Sequence, residues 1–89
     1  MSEIRVSAKD DETFVVTVRE STTTTHTVKL TKDYYQKLTA GKVPEETLIE
    51  KSFEFLLERE SNTMILRHFD LPVIGNYFPE YETTIVGRL

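Results

Sequence analysis

The chain contains no cysteine, only three glycines and three prolines, and no apolar run long enough to span a bilayer. Without cysteine there is neither a disulfide framework nor a thiolate metal site to stabilise a small domain. The same absence fits a reducing compartment. Without a long apolar run there is no transmembrane helix to expect. The N-terminal stretch MSEIRVSAKDDE lacks a basic region followed by an apolar one, so no signal peptide is expected and a cytoplasmic protein is the default. The glycines, Gly41, Gly75 and Gly87, are isolated. They form no phosphate-cradling loop and no dinucleotide fingerprint, and no nucleophile-elbow pattern is present.

Charge of one sign is also scarce where a nucleic-acid surface would need it. The net charge is −4. Residues 1–42 carry seven basic and six acidic side chains, whereas residues 43–89 carry four basic and nine acidic ones. A phosphate-binding face needs concentrated positive charge. The C-terminal half argues against one, and the N-terminal half leaves it open.

What is present is a chain of 89 residues, 38% hydrophobic, with nine aromatic side chains. That is one domain, residues 1–89, with a thin margin of stability and an apolar core. Self-association is a natural supplement to that margin, so a homodimer and a monomer both stay open.

The pattern predicts an α+β domain: a small antiparallel sheet of N-terminal strands packed against a long central helix, with short flanking helices. The stretch Pro44–Glu60, PEETLIEKSFEFLLERE, organises the rest. At 100° per residue, Leu48, Ile49, Ser52, Phe53, Phe55, Leu56 and Leu57 share an arc roughly 200° wide. A surface helix needs about half of that. The excess predicts two packing partners: a sheet on one flank and a further helix or a second subunit on the other.

Period-2 alternation predicts strands at Glu3–Ala8, Thr13–Glu20 and Thr25–Leu30. Thr31 is placed to cap a helix opening at Lys32, and Gly41 to stop it. Pro44, Glu45 and Glu46 suit a helix N-terminus. Ser61-Asn62 reads as a stop and a fresh cap, opening a short apolar helix over Thr63–Phe69. Asp70 reads as the cap of a second short turn, bounded by Pro72 and Pro79. Residues 83–89 read either as an edge strand through Ile85 and Val86 or as a frayed end.

The segments FEFLLERE and ILRHFDLPVIGNYFPEYE resemble a family of small bacterial proteins known mainly as hypothetical proteins. The resemblance runs from about Thr25 to Glu82 and is most specific at Phe69-Asp70-Leu71 and Tyr77-Phe78-Pro79-Glu80-Tyr81. It implies a bacterial, cytoplasmic protein and carries no catalytic residue with it. The order TVKL, TKDYYQKL, EETLIEKSFEFLLERE is also similar in layout to ribbon–helix–helix DNA-binding proteins. That layout implies a dimer whose strands read bases through Thr25, Thr27 and Lys29. Three features depart from it. The strand has a local partner in Thr13–Glu20, Val43 stands where a hydroxyl cap is usual, and the central helix is acidic.

No pattern asks for catalysis, a cofactor or a metal. His26 sits mid-strand and reads as a packed histidine. His68 precedes Asp70 at a helix end and reads as a dipole partner. Neither has zinc-ligand spacing. Glu50, Glu54 and Glu58 form a carboxylate ladder that one helix face cannot close around a calcium ion. The remaining feature is a crowd of apolar residues, Leu71, Val73, Ile74, Tyr77, Phe78 and Tyr81. They close the core, or part of them forms a protein interface. The leading expectation is a non-catalytic protein-interaction module, and the alternative is a dimeric DNA-binding regulator.

Overall fold

A computed structural model describes residues 3–89; Met1 and Ser2 lie outside the described residues. The fold is α+β. A four-stranded sheet in the order β1-β2-β3-β4 carries its helices on one face. The strands are β1 (Glu3–Ala8), β2 (Thr13–Arg19), β3 (Thr23–Lys29) and β4 (His68–Asp70). The helices are α1 (Lys32–Thr39), α2 (Glu45–Leu57), α3 (Val73–Tyr77) and α4 (Tyr81–Val86), with a 3-10 turn at Asn62–Met64.

The first three strands follow from alternation. Phe14, Val16 and Val18 on β2 and Val28 on β3 are buried under the helices, and Ile4 and Val6 on β1 pack against the same core. The opposite face of the sheet is polar and carries Thr17, Thr25 and Thr27. β1, β2 and β3 pair antiparallel, with Val6 opposite Val16 and Val16 opposite His26. β4 joins β3 in parallel, so the sheet is mixed rather than purely antiparallel.

Helix α1 opens as the sequence requires. The Tyr34 amide donates to Thr31 Oγ1 at 3.2 Å. The left-handed turn that ends α1 begins one residue before Gly41, at Ala40 with φ 52°, and Gly41 continues it at 73°.

Helix α2 has 13 residues and is shorter than the pattern suggested: Pro44 precedes it and the chain turns after Leu57. Leu48, Ile49, Ser52, Phe53, Phe55 and Leu56 are all buried. Phe53 and Phe55 lie about 200° apart around the helix, and each meets a different layer. Phe53 packs on the sheet side, its ring 5.4 Å from His26 and 6.1 Å from Phe69. Phe55 packs on the helical side, 5.3 Å from Tyr81 and 6.0 Å from Phe78. The second flank is thus covered by α4 and by Phe78, just after α3, in the same chain.

Two C-terminal expectations are corrected. Residues 63–69 do not form a helix. The Asn62 side chain is buried and turned away from any cap, its Nδ2 donating to Thr22 O at 2.6 Å and Thr24 Oγ1 at 3.0 Å. The chain beyond is drawn out along β3, where Thr27 N donates to Arg67 O at 2.7 Å and Leu71 N to Lys29 O at 2.9 Å. Asp70 is therefore a strand residue, and Pro72 takes the position before α3. In the tail, Ile85 and Val86 lie in α4 and form no edge strand. α4 is fixed by Tyr81 and Ile85, both fully buried.

Candidate functional site

Both flanks of α2 being covered, most of the exposed large apolar side chains gather in one place. A groove of about 280 Å³ runs between the C-terminal end of α2, the 62–69 segment and α3. Its lining includes Leu56, Met64, Leu66, Phe69, Val73 and Tyr77. The described residues include five exposed large hydrophobics, and three of these, Met64 at 69%, Leu66 at 45% and Tyr77 at 65%, line this groove. The positions follow from local geometry. Asn62 locks the 3-10 turn onto the sheet, so Met64 is thrown outward while Ile65 turns into the core. Tyr77 stands at the end of a five-residue helix whose inward position is taken by Ile74.

One carboxylate, Glu60, shares the lining, and burial alone raises its pKa above the ordinary glutamate value. No salt bridge of the described residues involves it. The groove is therefore an apolar cleft with a single acidic group that lacks full hydration. Its volume lies just below the range for small-molecule sites, about 300–1,000 Å³.

The expected interface residues divide. Leu71, Ile74 and Tyr81 are core, at 0%, 3% and 0% exposure. Leu71 and Tyr81 therefore offer nothing to a partner, and Ile74 contributes only floor to the groove. Val73, Tyr77 and Phe78 are accessible and line it. Met64 and Leu66 were missed because a helix over 63–69 would have turned them inward. The signal was Asn62, whose side chain is worth more to the sheet than to a helix cap.

The expected DNA-contact residues Thr25, Thr27 and Lys29 do share the solvent-facing side of β3. They lack the free edge that a ribbon–helix–helix arrangement needs. β2 flanks β3 along its length and β4 pairs with Thr27–Lys29 on the other side.

The histidines also separate. His68 is an exposed residue of β4, not a helix-end partner. His26 is fully buried in a closed chain of hydrogen bonds. Its Nδ1 lies 2.8 Å from the Leu66 carbonyl, which only accepts, so the proton is on Nδ1. Nε2 then accepts from Thr24 Oγ1 at 2.8 Å, and Thr24 Oγ1 accepts from Asn62. Burial pushes the His26 pKa below the ordinary histidine value, opposed by the bond to Leu66. The ring is a neutral strut that ties the groove's outer wall to the sheet.

On the other side of α2, Ser52 Oγ donates to Leu48 O at 2.7 Å, so the Tyr81 hydroxyl, 2.6 Å away, donates to Ser52. Burial raises the Tyr81 pKa. Arg59 lies over the Phe55 ring at 3.6 Å, and Arg88 clamps both Glu58 oxygens at 2.7 and 2.8 Å. The Tyr81–Ser52 bond and the Arg88–Glu58 clamp pin α4 to α2. Among the described residues no group of three or more His, Asp or Glu side chains is arranged to hold a metal ion. None of the described helices is long and apolar enough to cross a membrane.

No protein-family profile matches the chain, and no curated protein and no solved structure does so either.

Proposed function

We propose that the protein is a non-catalytic interaction module that takes an amphipathic segment of a partner protein into the groove beside Met64, Leu66 and Tyr77. The convergence of three exposed large apolar side chains on one cleft carries this reading. Such a cleft loses unfavourable contact with water only when it is covered. Met64 supplies an adaptable contact and Tyr77 an amphipathic one, the residue types enriched at partner surfaces. Glu60 gives the site a sign. A carboxylate short of water favours a cationic or donor group, so the partner segment carries a lysine or arginine among its large apolar residues.

Selection of a random-peptide display library on the immobilised protein tests this. Enriched sequences are expected to combine leucine, phenylalanine or tryptophan with a basic residue. Met64→Glu and Tyr77→Glu each weaken binding of those peptides by more than roughly tenfold, about 1.4 kcal/mol. Both side chains are mostly exposed, so the free energy of unfolding stays within about 0.5 kcal/mol of the parent. Peptides that bind the parent and both variants equally would place the site elsewhere.

A further inference from the structure

The sheet offers a second surface, at its free edge. β1 is the outermost strand on one side. Which of its backbone groups are free follows from the ladders. On β3 the amide of Thr27 and the carbonyl of Lys29 bond toward β4. Backbone bonding alternates sides along a strand, so Thr24, His26 and Val28 bond toward β2. Their partners are Val18, Val16 and Phe14. Thr13, Val15, Thr17 and Arg19 therefore bond toward β1, where the last three meet Ser7, Arg5 and Glu3. The bond from Lys9 N to Thr13 O, 2.8 Å, agrees. Ile4, Val6 and Ala8 are left with their N–H and C=O groups directed away from the sheet.

A groove of about 610 Å³ lies between this edge and α2, lined by Glu3, Ile4, Glu50, Glu54, Leu57 and Glu58. Four of those six are carboxylates, and no basic side chain lines it. Glu3 pairs with Arg5 and Arg19, Glu54 with Lys51 at 3.7 Å, and Glu58 with Arg59 and Arg88. Glu50 is in no salt bridge of the described residues. These pairs are solvent-facing, and exchanging such a partner costs little.

The geometry points to an extended basic segment of another protein, added as a fifth strand along β1 with alternate lysine or arginine side chains in the four-carboxylate groove. The backbone edge dictates an extended chain, since Ile4, Val6 and Ala8 present donors and acceptors at strand spacing. The alternation of the added strand sends every second side chain toward the helical layer. There Ile4 and Leu57 receive aliphatic stems and the carboxylates receive the cationic ends. A second copy of this chain fits poorly, because it brings its own Glu3, Glu50, Glu54 and Glu58 to the same line.

The probe is a capped peptide alternating lysine and threonine, titrated into the labelled full chain and followed by amide NMR. A peptide of the same composition with its lysines contiguous is the control. The alternating peptide is expected to shift and protect Ile4, Val6 and Ala8, and Met64→Glu leaves its binding unchanged. Val6→Pro removes an outward donor and spares the bonds to β2 made by Arg5 and Ser7, a position where an edge strand accepts proline. It weakens binding roughly tenfold. Ala8→Pro, at an exposed side chain, does the same and serves should Val6→Pro unfold. Glu50→Gln with Glu54→Gln weakens it further. Equal binding of the two peptides, or binding indifferent to both prolines, would reduce the effect to plain ion pairing and overturn the proposal. A peptide-free dimer abolished by Val6→Pro would give the edge to a second copy and overturn it as well.

Discussion

Phe53→Ala is expected to remove about 3–5 kcal/mol of folding stability, the usual loss for a buried phenylalanine. Phe53 is fully buried, and its ring holds α2 to His26 on the sheet and to Phe69 at the parallel edge. A domain of this size has a total of roughly 5–15 kcal/mol, so the variant sits close to unfolding. Removal of the ring leaves a cavity with a sheet for its floor, and a sheet collapses into space less readily than a loose helix. Urea titration followed by circular dichroism reads the change. Tyr77→Ala, on an exposed ring, stays within about 0.5 kcal/mol in the same titration. A loss below about 1 kcal/mol for Phe53→Ala would mean that α2 is not seated on the sheet as described.

His26→Leu is expected to cost about 2–3 kcal/mol at neutral pH, and to change how stability depends on pH. The substitution keeps an apolar body against Phe53 but strips Thr24 Oγ1 of its acceptor and the Leu66 carbonyl of its donor. A buried polar group left without its partner costs about 1–3 kcal/mol. The pH effect has a definite sign. The folded His26 pKa lies below the ordinary value of 6.5. Its contribution is complete above pH 6.5 and is lost as pH falls toward the folded pKa, because there only the unfolded chain takes up the proton. The slope within that window stays below about 1.4 kcal/mol per pH unit, the limit set by one proton. Glu60, whose pKa is raised, works in the opposite sense at lower pH. Comparing parent and His26→Leu across the same buffers isolates the histidine, since Glu60 is common to both. The parent's urea midpoint falls as pH drops below 6.5, and that of the variant loses this component. Parallel curves would show that His26 is hydrated, not locked.

The elements legible in the sequence are those whose pattern is local. β1, β2 and β3 announce themselves by alternation, and α2 by an apolar arc too broad for one neighbour. The Thr31 cap and the burial of Phe53 and Phe55 follow from the same reasoning. What was not legible depends on contacts far apart in the chain. β4 has three residues and no alternation of its own; it exists because β3 has a free side to pair with. Asn62 looks like a cap until Thr22 and Thr24 come within reach, some forty positions away. α4 has six residues, and contacts with distant parts of the chain fix it, among them the buried bond between Tyr81 and Ser52.

The same division runs through the candidate site. Tyr77 and Phe78 were visible as a dense aromatic cluster, but composition does not say which members face inward. Leu71 and Tyr81 went to the core, and Met64 and Leu66 came out of it. That exchange turns on the chain after Asn62 being extended rather than helical.

The central claim is that α2 is enclosed on both flanks, and that the Met64–Tyr77 groove is where three of the five exposed large hydrophobics meet. Relaxation of side-chain NMR signals by a soluble paramagnetic probe measures this directly. Signals from the Met64 methyl and the Tyr77 ring should broaden strongly, while those of Phe53, Phe55 and Leu56 stay sharp. Broadening of Phe55 or Leu56 to the extent seen for Met64 would contradict the account, because one flank of the helix would then stand open.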